Sequence, residues 1–400
     1  MRYHITRVRR SVWILIWSLT VLWSLSGSHW SILFGPPVRA QSNALYREGE
    51  VLCKVRPGQD IQTVVQRLGF TILDRLEANT FRLGLPPLLG VPQALALLKS
   101  DPAVEWAEPN FLLRIFQLDQ RSQAFVDQRS QAFVDGYSPS EYFDQYAARL
   151  LRLKQAQTIT RGEGITVAVI DTGIDPTHPV FTRLTEGYDF VDQDRTPVEQ
   201  GGGPAYGHGT MVAGIVALVA REATLMPMRA FTSDGVGTAA DVVKAIRFAA
   251  MRGAQVINMS FGLSTPSRAI REALQFAAQQ GVTLIASAGN DNSSTPPFPA
   301  SEEALVWAVA ATNPQDRKAD FSNYGAFVDL CAPGVNIYSA YPGGRYAWWS
   351  GTSFSAPFVS GTVALVLSLG RDPSRVLNTA IYVGSGLGYG RIDAFAALTQ

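Results

Sequence analysis

Three short motifs in this chain carry an acid, an imidazole and a hydroxyl. Asp171 ends Val169-Ile170-Asp171 and is followed by Thr172-Gly173. His208 lies in Gly207-His208-Gly209-Thr210, and Ser353 in Gly351-Thr352-Ser353-Phe354-Ser355-Ala356-Pro357. A serine hydroxyl is a weak nucleophile at neutral pH. It becomes a strong one when an imidazole takes its proton and a carboxylate fixes the imidazole tautomer. Each residue alone has an ordinary explanation. A serine at a helix start is usually a cap, an aspartate before glycine suits a turn, and His208 is one of four histidines. Their joint placement is harder to explain by packing.

That placement depends on the surrounding elements. Residues 165–170 form an apolar, β-branched run that ends at Asp171. His208 leads into an apolar helix over 210–220, and Ser353 opens a buried helix reaching Leu369. Between them, apolar strands are predicted over 224–231, 254–260, 282–287, 305–311 and 327–331. Amphipathic helices alternate with them, one from Thr238 as cap to Gly253 as stop, another from Thr265-Pro266 to Gly281. Apolar strands separated by amphipathic helices predict an α/β fold, a mainly parallel sheet with helices on both faces. In such sheets chemistry gathers where strands end and helices begin. Asp171, Ser260 and Asn290 stand at strand ends, and His208 and Ser353 at helix starts.

The rest of the chain divides into three parts. Residues 46–115 read as strand, helix, two strands, helix, strand, a small α+β unit of ferredoxin-like pattern, with Asp60 capping its first helix. Residues 116–148 read as a linker. In it the octamer Asp119–Val126 recurs identically at Asp127–Val134, too short a repeat for a solenoid. Residues 149–400 are the large α/β unit. Ahead of all three, Arg2, Arg7, Arg9 and Arg10 precede an apolar stretch over 11–25, and Val38-Arg39-Ala40 offers a cleavage site. Residues 1–40 therefore read as a secretory signal or, since apolar residues resume at Trp30–Phe34, as an uncleaved membrane anchor. Either sends the remainder across a membrane, to a secreted, extracellular or periplasmic location or to an anchored one outside the cytoplasm.

Apolar residues make up 46% of the chain, enough for a large core and against global disorder. Net charge is +1, yet the first 40 residues hold five basic and no acidic residues, leaving 34 − 5 = 29 basic against 33 acidic in the rest. No basic stripe points to nucleic acid. The two cysteines, Cys53 and Cys331, form neither a disulfide framework nor a zinc cluster. Cys331 reads as a small buried hydrophobe.

With the three motifs in the order Asp, His, Ser, each a multi-residue match, residues 149–400 resemble the catalytic domain of a subtilisin-like serine peptidase. The resemblance implies a three-layer α/β/α domain that hydrolyses peptide bonds through an acyl-enzyme. Ser353 would attack the carbonyl, His208 would relay the proton, and Asp171 would hold His208. Asn290, in Ala288-Gly289-Asn290, matches the family's side-chain oxyanion donor, and the Ser353 N–H would be the second donor. Ser260, Phe261 and Gly262 match the strand that pairs an extended peptide. Gly235 and Gly237 match the opposite rim, and Ala288 and Gly289 the wall of the primary pocket, with Pro297 near its floor.

The resemblance also implies cofactors and partners. No cofactor is expected. The family's tight calcium site is lost, because His178-Pro179 is followed by Val180, which cannot ligate a hard cation, and the loop at 221–224 is short. Asp189, Asp192 and Asp194 read as a solvated acidic loop. The 46–115 unit resembles the family's propeptide domains and ends in the similar Val104–Asn110 motif. It implies an intramolecular inhibitor whose tail lies in the cleft until cut, and the partner set is that propeptide and a polypeptide substrate, on a monomer. The competing reading is a non-catalytic, membrane-tethered scaffold that kept the fold. It would not need Asp171, His208, Ser353 and Asn290 together.

Overall fold

The computed structural model describes residues 45–116, 133–136 and 138–400. The expected signal or anchor over 1–40 and most of the tandem octamer lie outside them. In the front unit, β1 (Tyr46–Val55), α1 (Ile61–Leu68), β2 (Thr71–Arg75), β3 (Thr80–Gly84), α2 (Val91–Ser100) and β4 (Val104–Ile115) follow the expected βαββαβ order. Asp60 caps α1 by accepting from Gln62 N at 3.0 Å. The antiparallel sheet runs β4-β1-β3-β2. Cys53, Val64, Leu83, Ala94 and Leu98 form its separate core.

The linker expected over 116–148 is structured in its second half. Strand β5 (Phe133–Gly136) pairs antiparallel with a strand of the large domain, Val134 opposite Ala347. Three short helices follow, α3 (Pro139–Asp144), α4 (Tyr146–Leu150) and α5 (Leu153–Ala156). Tyr142 is buried there and donates to Gly214 O at 2.6 Å. These residues fold onto the large domain because their aromatic side chains find its core.

The large domain continues with β6 (Thr166–Asp171), β7 (Tyr188–Asp189), α6 (His208–Val219), β8 (Thr224–Arg229), β9 (Val236–Thr238) and α7 (Ala239–Met251). Then come β10 (Val256–Met259), β11 (Phe261–Gly262), α8 (Arg268–Gln279), β12 (Thr283–Ser287), β13 (Val306–Thr312) and β14 (Leu330–Pro333). Next are β15 (Ile337–Tyr341), β16 (Arg345–Trp349), α9 (Thr352–Ser368), α10 (Arg375–Asn378) and α11 (Ala394–Thr399). Seven strands form one parallel sheet, β14-β13-β12-β10-β6-β8-β7.

Alternate residues of each central strand enter opposite cores. From β6, Ala168 and Ile170 join the core that holds residues of α7 and α8, while Val167 and Val169 join the core of α6 and α9. Burial on both faces explains why these strands read as unbroken apolar runs. Both cysteines are free and buried, and burial raises both thiols, Cys53 up to about 12, which disfavours the thiolate form.

Candidate active site

Strand β6 delivers Asp171 to the end of the sheet, and α6 begins at His208 directly above it. The close approach needs Gly209, where a Cβ would overlap Gly173 O. Asp171 Oδ1 accepts from His208 Nδ1 at 2.8 Å and from Thr172 N at 2.8 Å. Both side chains are 1% exposed, so the pair is shielded from water. With Nδ1 held by the carboxylate, Nε2 is the ring nitrogen left for a proton transfer. It is buried and has no hydrogen-bond partner among the described residues. Trp349 packs edge-on to the imidazole at 5.5 Å between ring centroids, and Phe354 lies 5.3 Å away.

Helix α9 starts at Thr352 with Gly351 as its cap, so Ser353 is the second helical residue rather than a cap. Its N–H falls in the first turn, where backbone donors have no intrahelical partner. Pro357 lies four residues on and has no N–H to give the Ser353 carbonyl. Ser260 Oγ supplies the missing bond, donating to Ser353 O at 3.0 Å. Asn258 Nδ2 donates to that Ser260 Oγ, and Ser360 Oγ donates to Asn258 Oδ1, tying β10 to α9. Ser353 Oγ donates to Ser260 O at 3.3 Å, so in this state its hydroxyl faces Ser260 rather than bonding to His208. The side chain of Ser260, expected along the peptide strand, is used in the bond to Ser353.

Asn290 has its amide orientation fixed. Thr352 N and Thr352 Oγ1 both donate to Asn290 Oδ1, at 2.9 and 2.8 Å. A backbone N–H can only donate, so the accepting atom is the oxygen and Nδ2 faces the other way. There it donates to the main-chain carbonyl of Phe116 at 3.1 Å. Helix α9 thus aims Ser353 and orients Asn290 through its first residue.

Phe116 directly follows β4, which leaves the front unit and runs between two strands of the large domain. On one side Ile115 pairs with Phe261 and Arg114 with Gly262. On the other, Leu112 pairs with Thr238, Leu113 with Gly237 and Arg114 with Val236, while Ile115 N donates to Gly235 O at 2.9 Å. Phe261, Gly262, Gly235 and Gly237 therefore meet along one extended segment. Ala288 and Gly289 lie behind Asn290. Asn323 braces them by donating to Ala288 O, and a Cβ on Gly289 would meet Asn323 and Pro297.

The front unit also docks through helix ends. Glu108 accepts from Ser267 Oγ, Arg268 N and Ala269 N at 2.7, 2.8 and 3.0 Å, at the start of α8. Asn110 Oδ1 accepts from Ala240 N at 3.0 Å, at the start of α7. A negative charge at a helix N-terminus is favoured by the unpaired N–H groups there. Lys54 and Trp106 both bond Glu272, and Lys244 bonds Asp74.

The side chain expected at the family's calcium position, Val180, offers no oxygen ligand. Val180 is apolar, and its N–H donates to His178 Nδ1. The acidic residues at 189–194, expected as a solvated loop, include a buried Asp189, and Arg229 Nη1 bonds both Asp189 Oδ2 and Asp192 Oδ2 at 2.5 Å, so a guanidinium already occupies those carboxylates. Among the described residues no group of three or more His, Cys, Asp or Glu side chains gathers to hold a metal.

Several functional neighbours carry no sequence signal. Thr352 belongs to the serine motif, but its bond to Asn290 spans 62 positions. Glu199 lies in a polar loop, yet its Oε1 accepts from Thr172 Oγ1 and Thr210 N at 3.0 and 3.1 Å, behind the Asp171–His208 pair. Part of Glu199 reaches solvent, but its Oε2 does not. Burial raises the Glu199 carboxyl to about 7.

Residues 162–378 match the subtilase family, and residues 35–110 match the fervidolysin N-terminal prodomain. The thermophilic serine proteinase of Bacillus sp. (strain AK1) is 35% identical over 381 residues, 88% of each chain. Thermitase of Thermoactinomyces vulgaris is 37% identical over 283 residues, 66% of this chain and 99% of thermitase. The crystal structure of fervidolysin from Fervidobacterium pennivorans, described as a keratinolytic enzyme related to subtilisin, superposes with a TM-score of 0.72 at 26% identity. The match covers 89% of this chain and 61% of fervidolysin.

Proposed function

Because the chain belongs to the subtilase family and is a subtilisin-like serine endopeptidase with a prodomain, we propose that Asp171, His208 and Ser353 are its catalytic triad, Asn290 its side-chain oxyanion donor, and residues 46–115 its own inhibitor. Ser353 Oγ attacks a peptide carbonyl while its proton passes to His208 Nε2. Asp171 Oδ1 holds the Nδ1–H of the imidazolium that forms. The oxyanion is stabilised by Asn290 Nδ2 and the Ser353 N–H. His208 then gives the proton to the leaving amine, and water hydrolyses the acyl-enzyme by the same relay in reverse.

The observation that carries this reading is the 3.1 Å bond from Asn290 Nδ2 to a main-chain carbonyl at the end of β4. A donor oriented by the first residue of α9 meets a carbonyl on a segment paired like a peptide on both sides. The same segment supports inhibition, since a bound tail excludes substrate. Substrate would replace it as an added strand, with affinity from main-chain bonds. The basic-then-apolar residues at 2–25 support export. No calcium is assigned.

The test is hydrolysis of an unstructured protein by the wild type, by each alanine variant at 171, 208 and 353, and by the triple variant. Groups that act as one unit are non-additive. Ser353→Ala, His208→Ala and the triple variant should share one floor, with Asp171→Ala at or somewhat above it. Wild-type activity in Ser353→Ala would overturn the assignment.

A further inference from the structure

Thr352 fixes which way the Asn290 amide points, but residues 288–293, which carry it, belong to no helix or strand. Their main chain is held from elsewhere. Asn323, 1% exposed and lying between β13 and β14, bonds to four residues that bracket Asn290. Before Asn290, Asn323 Nδ2 donates to Ala288 O at 2.9 Å, and Asn323 N donates to Gly289 O at 3.0 Å. After it, Asn323 Oδ1 accepts from Asp291 N at 2.9 Å and from Ser293 N at 3.0 Å. A backbone N–H can only donate and a carbonyl can only accept, so the Asn323 amide has one orientation and Oδ1 has both acceptor sites filled. A Cβ on Gly289 would overlap Asn323 Nδ2, so the amide reaches Ala288 O only across a glycine.

The segment that carries Asn323 is anchored in turn. Ala311 N, in β13, donates to Ser322 Oγ at 2.9 Å, and Ser322 Oγ donates to Asn323 O at 3.0 Å. Asn292 N donates to Phe321 O at 2.7 Å. The Lys318 ammonium directs its three donors to Asn292 Oδ1 at 2.7 Å and to Ala319 O and Ser322 O at 3.1 Å. The Asn290 loop is thus tied to the edge of the parallel sheet through side chains. A buried asparagine commonly does no more than satisfy the polar groups of a loop. Here its bonds fall on both sides of one residue, and that residue carries the oxyanion donor.

We propose that Asn323 is a positioning residue for the peptidase reaction: by clamping the main chain on both sides of Asn290, it sets where Nδ2 stands when charge develops on the carbonyl oxygen. The proposal rests on the oxyanion role given above to Asn290. Among the described residues Asn323 makes no hydrogen bond to Asp171, His208 or Ser353, so its effect on the chemistry runs through Asn290. A donor already in place as the oxyanion forms favours the transition state over bound substrate, so the effect falls on kcat.

The test is a double-mutant cycle on kcat with the wild type, Asn290→Ala, Asn323→Ala and the double variant. Fluorophosphonate titration of Ser353 sets each concentration, so that only competent sites are counted. Asn323→Ala should lower kcat by about 10–100-fold, the cost of misplacing a group by about 1 Å. In the Asn290→Ala background the same change should lower it by less than about twofold, because the donor it positions is gone. A mere loop brace would lower Tm and leave kcat per titrated site unchanged, or would lower kcat by one factor in both backgrounds; either result overturns the proposal. Should Asn323→Ala yield no titratable sites, Asn323→Ser, which keeps a hydroxyl acceptor, enters the same cycle and should lower kcat by a smaller factor, again only when Asn290 is present. Asn290→Ala with the wild-type kcat would overturn the oxyanion assignment itself. The expected Asn290→Ala loss with an uncoupled Asn323 would overturn the positioning role alone.

Discussion

Replacing Glu199 by glutamine is expected to stabilise the protein in alkali and leave it unchanged in acid. The carboxyl stands behind the Asp171–His208 pair, with Oε1 bonded to Thr172 and Thr210 and Oε2 buried. Burial is the main cause that lifts its pKa from 4.5 to about 7, and the charge of Asp171 adds to the lift. A carboxyl raised in the folded state favours folding in its protonated form. Its contribution is complete below the unfolded pKa and is lost as pH rises through about 7. The interval from 4.5 to about 7, at about 1.4 kcal/mol per pH unit, amounts to about 3 kcal/mol. Glutamine keeps an acceptor oxygen in place and cannot ionise, so it escapes the loss.

The assay is urea unfolding in a Ser353→Ala background, which prevents self-digestion. At about pH 4 the Glu199→Gln and reference proteins should unfold together, and at about pH 9 the variant should be more stable by about 3 kcal/mol. An equal difference at both pH values, or one that grows toward acid, refutes the reasoning.

Other consequences concern the site and its inhibitor. Asn290→Ala should lower kcat by about 10²–10³-fold with little change in KM, because its bond matters most to the oxyanion. Thr352→Val removes one of the two donors that orient Asn290. Its kcat should fall between wild type and Asn290→Ala, and a drop as large as the latter would mean the hydroxyl does more than orient. Glu108→Ala leaves two N–H groups of α8 without their carboxylate. At about 2 kcal/mol for lost charge-assisted bonds, the cut prodomain should bind about 30-fold more weakly, read from residual inhibition after cleavage. A chelator should leave Tm unchanged, since Arg229 already holds Asp189 and Asp192; a large fall in Tm would show a calcium site elsewhere.

What the sequence made legible was local. The apolar run ending at Asp171 and the helices opening near His208 and Ser353 carry strong apolar signals, and the front βαββαβ order follows from alternating strand and helix lengths. The remainder depends on pairs far apart in the chain. Strand β4 runs through Glu108, Pro109 and Asn110, which are poor strand formers. It continues to Ile115 because the large domain offers two partner strands. The bond from Ser260 to Ser353 O joins residues 93 positions apart, and it exists because Pro357 leaves that carbonyl without a donor. Residues 133–148 read as linker because they follow the tandem octamer and carry the turn residues Gly136, Ser138 and Pro139, yet Tyr142 and Gln145 find buried acceptors more than 70 positions away.

The central claim is that Ser353 is the nucleophile, and one measurement bears on it most directly. The processed wild type is treated with a fluorophosphonate, digested, and the modified peptide sequenced by mass spectrometry. The account predicts a single adduct on Ser353, abolished by His208→Ala and absent from Ser353→Ala. An adduct on any other residue, or equal labelling of wild type and Ser353→Ala, would contradict it.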